Sequence, residues 1–210
     1  MRSIAAASAT GDKAFYAKWS VNTYTVTFDG NAPAGSTVTV PSPESFVFDQ
    51  GLDPLKDASS TDYDFVGWNT KADGTGQTLA SIAPDSQPGN VTLYAQWRCK
   101  APVPTSTANN TVTWQPVAGA TAYEVQVLDA TGAVAPTSEV TATVSGTTAT
   151  LAPTDDASGK SYTVQVKAVN APGAADSNWS SAVSFHAVTF DAASGALPAG
   201  TPSVALVGDG

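Results

Sequence analysis

The residues best suited to chemistry in this chain are few and widely separated. His186 is the only histidine and Cys99 the only cysteine. A thiol becomes a nucleophile when a base stands beside it, and the one imidazole lies far along the chain. With a single cysteine no intrachain disulfide can form. Cys99 falls in the stretch Arg98-Cys99-Lys100, which reads as a linker, and His186 falls at the end of a strand. Hydrolysis by acid and base needs two carboxyl groups facing each other across a cleft. Asp155 and Asp156 are instead adjacent in a loop, the pattern of solvated turn residues. Asp53, Asp57, Asp62 and Asp64 could offer hard oxygens to calcium, but they match no calcium-loop spacing and read as a solvated face. Asp73-Gly74-Thr75-Gly76 lacks the lysine and helix of a phosphate-binding loop. The expectation is a chain that is not an enzyme, with no catalytic, cofactor-binding or metal-binding residues and no cofactor.

Binding surfaces are equally sparse. A sugar-binding module needs exposed rings, and the candidates are Trp19, Trp68, Trp97, Trp114 and Trp179. All of them fall on strand positions that suit core packing, where a large ring is most useful. Tyr63 and Phe46 remain as possible exposed platforms. The net charge is −9, and the nine basic residues are scattered, so no basic stripe exists to displace phosphate counterions and nucleic acid is excluded as a partner. Arg2 and Arg98 are the only arginines, and neither opens an Arg-Gly-Asp sequence. Asn90, Asn109 and Asn178 fit Asn-x-Ser/Thr. No stretch approaches the ~20 apolar residues of a membrane-spanning helix. Residues 1–10 lack the apolar core of a signal peptide.

The elements that would carry these residues are strands. Charged residues make up 13% of the chain, against about 25% in ordinary globular proteins. Thr-Val alternation recurs, and 17 glycines and 14 prolines punctuate it. Tyr16-Ala17-Lys18-Trp19 returns as Tyr94-Ala95-Gln96-Trp97, and Val26-Thr27-Phe28-Asp29 returns as Val188-Thr189-Phe190-Asp191. Such long-range echoes indicate a chain assembled from copies of a module.

In the first complete unit, alternation places Tyr24, Val26 and Phe28 on one face of a strand. Further strands are expected at 36–40, 63–68 and 91–97, with one short helix near Pro54–Ser59. The spaced anchors Tyr24, Val26, Phe28, Asp29, then Tyr63, Phe65, Gly67, Trp68, then Leu93, Tyr94, Ala95, Trp97 resemble the Listeria–Bacteroides repeat of internalin-type surface proteins. That resemblance implies a small β-grasp-like fold and extracellular, often tandem, display. Asp62 stands where the family usually has glycine.

In the second unit Val112 and Trp114, then Tyr123, Val125 and Val127, then Tyr162, Val164, Val166 and Ala168 alternate as inward faces of a β-sandwich. Trp114 on an early strand, Leu151-Ala152-Pro153 ahead of Tyr162, and Asn178-Trp179-Ser180 beyond resemble a fibronectin type III domain. The resemblance implies that Tyr162 is a tyrosine-corner residue whose hydroxyl bonds to backbone near Leu151.

The fold class expected is mainly β. Residues 1–19 read as the C-terminal end of a truncated repeat, 20–98 as a β-grasp-like repeat, 99–186 as a fibronectin type III sandwich and 187–210 as the start of a further truncated repeat. Pro102 and Pro104 stiffen the connection between the complete units. The function expected is a non-catalytic stalk or spacer of a bacterial, Gram-positive, cell-surface or cell-wall protein, contributing to adhesion to a host or cell-surface protein or glycan. The modules are expected to be monomeric and in tandem, without membrane insertion. Two alternatives stay open: an accessory spacer of a secreted polysaccharide-degrading enzyme, and a glycan- or protein-binding module.

Overall fold

The computed structural model describes residues 16–17, 20–107, 110–169, 171–190 and 203–208. The strands of the first module are β1 (Thr23–Asp29), β2 (Val38–Thr39), β3 (Glu44–Val47), β4 (Ser59–Ser60), β5 (Tyr63–Asn69), β6 (Thr78–Leu79) and β7 (Val91–Cys99). Five of them form a sheet in the order β3-β1-β7-β5-β6, with β1 and β7 parallel at its centre. That is the strand order of a β-grasp sheet. The helix expected near Pro54–Ser59 is absent, because this segment is tied to a neighbour instead of to itself. Leu52 and Ile82 exchange backbone hydrogen bonds, and the Leu55 N–H donates to the Ala80 carbonyl. Leu55 and Ala58 are thereby buried beneath the sheet's aromatic residues.

Strict alternation along β5 would point Trp68 away from the face that holds Tyr63 and Phe65. A β-bulge prevents this: Phe65 pairs with Trp97 and Gly67 with Gln96, leaving Val66 unopposed. Gly67 takes φ +145, a conformation open to glycine. Trp68 therefore enters the core, 4.7 Å from the Phe28 ring and 5.1 Å from Phe65.

The second module comprises β8 (Thr105–Ser106), β9 (Thr111–Thr113), β10 (Ala122–Asp129), β11 (Val140–Ser145), β12 (Thr148–Pro153), β13 (Ser161–Val169), β14 (Val183–Thr189) and β15 (Val204–Gly208). Two four-stranded sheets, β11-β12-β9-β8 and β10-β13-β14-β15, face each other. Val112, Leu151, Val164, Val166 and Phe185 fill the space between them, as period-two burial along each strand requires.

The chain ends depart from expectation. Residues 187–189 and 204–208, expected to open a further module, extend β14 and add β15 to the sandwich. The expected end of a preceding repeat, 1–19, lies outside the described residues apart from Tyr16 and Ala17, which are exposed.

Cys99, expected in the connection between modules, belongs to β7. Burial in β7 continues from Leu93, Ala95 and Trp97 to Cys99, which packs with Ala168 and Ala171, and residues 100–104 lead from there to the next strand.

Candidate functional site

The most built feature of the surface is the junction of the two modules. The Cys99 N–H donates to the Ala175 carbonyl (2.9 Å), and the Ala175 N–H donates to the Trp97 carbonyl (2.8 Å). Strand β7 thus borrows a backbone partner from the loop that follows β13. Tyr63 and Cys99 share one buried cluster with Ala168 and Ala171 of the sandwich. Gly119, at φ +73, faces the Tyr63 hydroxyl so closely that a Cβ there would clash with it. Outside this cluster Arg98 donates to Asn178 (3.2 Å), and the Lys100 ammonium donates to the Thr61 carbonyl (2.5 Å). Bonds and buried side chains from both modules make the junction one packed surface, and the burial of apolar residues there opposes bending.

Beside the junction lies an open cleft of about 710 Å³, bounded by Asn31, Pro33, Val66, Asp73, Gln96 and Gly173. Its carboxylate, Asp73, accepts the Thr75 N–H (3.0 Å) and hydroxyl (2.8 Å), and these bonds hold its carboxyl below the usual range. Asn31 donates to the Ala72 and Ala95 carbonyls, and Gln96 to those of Lys71, Ala72 and Tyr94. The cleft's polar groups are thus committed to holding loops in place.

The sequence candidates are scattered across the fold. The Cys99 thiol is fully buried, and burial, reinforced by Asp176, pushes its pKa up, which keeps it a thiol. It is a core residue of the junction rather than the incidental linker residue expected, and the signal was available as alternation continuing past Trp97. His186 is exposed on β14, with its Nδ1 2.8 Å from the Ser161 hydroxyl. Asp155 and Asp156 open a single 3-10 turn capped by Thr154, and Asp155 also accepts a hydrogen bond from Ser203. Among the described residues no three His, Cys, Asp or Glu side chains come together to hold a metal, so Asp53, Asp57, Asp62 and Asp64 stay apart.

The aromatic candidates need correction. Tyr63 and Phe46, expected as possible exposed platforms, are both buried. Burial raises the Tyr63 pKa, with Cys99 and Asp62 adding to it. Trp68, Trp97 and Trp114 are buried as expected, while Trp19 lies outside the described residues. Trp179 is 36% exposed. The flanking Ser177 and Ser180 hydroxyls accept the Ala168 and Val166 N–H groups of β13, which turns the ring outward. Lys167, paired with Asp176 at 3.2 Å, sits 6.0 Å from its centroid.

Tyr162 is buried, but its hydroxyl donates to the Glu139 carboxylate (2.7 Å) and not to backbone near Leu151. Glu139 also pairs with Lys160 at 2.6 Å. The lysine first, and the phenol second, hold the Glu139 carboxyl below its usual range. Burial first, and then Glu139, push Tyr162 far above the ordinary phenol range.

Two asparagines escaped the sequence reading. Asn69 is buried, donates to the Gly74 and Gly76 carbonyls and accepts the Lys71 N–H, so it organises the whole turn after β5. Asn110 adopts φ +60 at the entrance to β9. Neither has a local signal beyond a polar residue near a turn.

Residues 24–96 match the model of the Listeria-Bacteroides repeat domain, and residues 99–186 match that of the fibronectin type III domain. Among curated proteins, one from Evansella cellulosilytica, named as a Gly-rich membrane protein, is 42% identical over 95 residues, covering 41% of this chain and 10% of that protein. A second from the same bacterium, named as a membrane protein, is 36% identical over 87 residues, or 39% of this chain and 12% of that protein. The chain spans about a tenth of the length of these curated relatives. No solved structure matches the chain. Among the described residues no helix is long and apolar enough to cross a membrane.

Proposed function

We propose that this chain, in which a Listeria-Bacteroides repeat domain runs directly into a fibronectin type III domain, is a non-catalytic spacer segment of a bacterial cell-surface protein. It works by holding a distance and a direction. The observation that carries this reading is the junction. The end of strand β7 is bonded to Ala175 of the sandwich, and beside it Gly119 closes on the Tyr63 hydroxyl. A tether that only joined two domains would not need a shared buried cluster. The names of the curated relatives fit a parent protein associated with a membrane, whose spacer region lies outside the cell. Any adhesion to a host or cell-surface protein or glycan is then a contribution of the displayed surface.

The direct test is the alignment of the two modules in solution by residual dipolar couplings. One shared alignment tensor is expected. Two independent tensors would show a hinge at residue 99 and remove the spacer reading. Surface display is tested separately, by labelling intact producing cells with antibody raised against this chain. Staining that appears only after the cells are lysed would refute the extracellular placement.

A further inference from the structure

Strand β15 lies outside the residues that match the fibronectin family model, yet it completes the sandwich. One edge pairs antiparallel with β14, from Phe185↔Gly208 to Thr189↔Val204. Among the described residues the other edge pairs with no strand. It meets Asn110. The Asn110 N–H donates to the Leu206 carbonyl (3.1 Å), and the Leu206 N–H donates to Asn110 Oδ1 (2.5 Å). The Asn110 carbonyl accepts the Leu151 N–H of β12 (2.7 Å), so this one residue ties β15 to the opposite sheet. Its left-handed backbone, uncommon outside glycine, is what aims all three groups at once.

The side chains of β15 are selected as well as its backbone. Val204 and Leu206 enter the sandwich core, Leu206 is 0% exposed, and Ala205 between them is buried as well, which leaves room there for a small side chain. Gly208 packs against Ser106, where a Cβ would come within 2.5 Å of the serine side chain. A slot that reads backbone on both edges, takes an aliphatic residue at alternate positions and demands glycine at the end has the features of strand-addition sites.

We propose that the space between β14 and Asn110 is a strand-acceptor site for an extended peptide of the pattern aliphatic-alanine-aliphatic-x-glycine. Its occupant in this chain is the chain's own segment Val204–Gly208. The site recognises the segment as a ligand, so it also takes the same peptide supplied separately once the tethered copy is weakened.

The test uses a fluorescent peptide of residues 201–210 and the full 210-residue chain. Anisotropy is read for the unaltered chain, for Leu206→Asp and for the double variant Leu206→Asp with Asn110→Gly. The Leu206→Asp chain is expected to bind the peptide at least about tenfold more tightly than the unaltered chain, in which the site is filled. The double variant is expected to lose that gain. Equal binding by the unaltered and Leu206→Asp chains overturns the proposal. Hydrogen exchange on the unaltered chain gives a second reading that does not depend on a variant folding. The Leu206 amide is expected to exchange at least about a hundredfold more slowly than in the free peptide. In Asn110→Gly it is expected to speed up while Val164 and Val166 stay protected. A Leu206 amide that exchanges at the free-peptide rate in the unaltered chain also overturns the proposal.

Discussion

The two modules solve the same burial problem with different side chains. The repeat packs Phe28, Phe46, Tyr63, Phe65, Trp68 and Trp97 beneath a sheet whose minor strands are only two residues long. The sandwich fills most of its core with Val112, Val127, Val140, Ala149, Leu151, Val164 and Val166 around Trp114, Tyr162 and Phe185, and Trp114 meets Tyr123 edge-on at 5.2 Å. The tryptophan N–H groups show why. Trp68 donates to the Lys56 carbonyl (2.9 Å) and Trp97 to the Gly30 carbonyl (2.8 Å), so each ring fastens a loop that no ladder holds. Trp114 Nε1 is buried without a partner. In the repeat the indole N–H groups tie loops to the sheet, so its rings both fill and fasten. In the sandwich the tryptophan only fills.

The largest effect expected is from Trp68→Ala, which removes both roles and costs the repeat about 3–5 kcal/mol. Denaturant unfolding followed by Trp97 and Trp114 fluorescence checks it. The sandwich transition should move much less, and an equal shift of both transitions would mean that the cores are not separable. Gly119→Ala comes next, because it adds a Cβ at positive φ against the Tyr63 hydroxyl. A cost of about 1–3 kcal/mol is expected, with loosening of the junction. Separate rotational correlation times for the two modules would reveal that loosening. Sharper still is a pair of conservative variants. Trp68→Phe should cost more than Trp114→Phe by about 1 kcal/mol, since only the first breaks a hydrogen bond, the one to the Lys56 carbonyl. Equal costs would dispose of the fastening role.

The smallest effect concerns pH and belongs to the sandwich. Glu139 has its folded pKa lowered, so its contribution is present above the ordinary carboxylate range and is lost as pH falls through the folded value. Tyr162 has its folded pKa raised, so its contribution is present below the ordinary phenol range and fades as pH rises beyond it. Tyr162→Phe should flatten the alkaline fall in melting temperature and leave the acid side to Glu139. An unchanged alkaline limb would place the loss elsewhere.

Period-two alternation made β1, β5, β7, β10 and β13 legible, because each is long enough for one face to repeat. The strand expected at 36–40 is there as the two residues of β2, but alternation could not reveal β3, β4 or β6, whose pairing is decided by partners far along the chain. The helix expected near Pro54–Ser59 failed for the same reason: bonds to Ala80 and Ile82 outweigh local preference. The junction was half visible. Cys99 continues the burial pattern of β7, but nothing near it announces Ala175 as its backbone partner. Tyr162 was identified as a buried phenol, while its acceptor, Glu139, is on another strand's approach and carries no local mark.

The bulge at Val66 has one more consequence. A strand is read in steps of two, so it has a phase, and an insertion of one residue shifts the phase of everything after it. Val66 is such an insertion, held in the folded module. Upstream of it the inward positions are Tyr63 and Phe65, and downstream the inward ring is Trp68. The bulge absorbs that shift, which is why Trp68 stays on the face of Tyr63 and Phe65. Removal of this one exposed valine would leave Phe65, Gly67 and Trp68 opposite Trp97, Gln96 and Ala95 as an unbroken ladder, with Trp68 still inward. At this point the chain can lose a residue without exchanging the two faces of the strand.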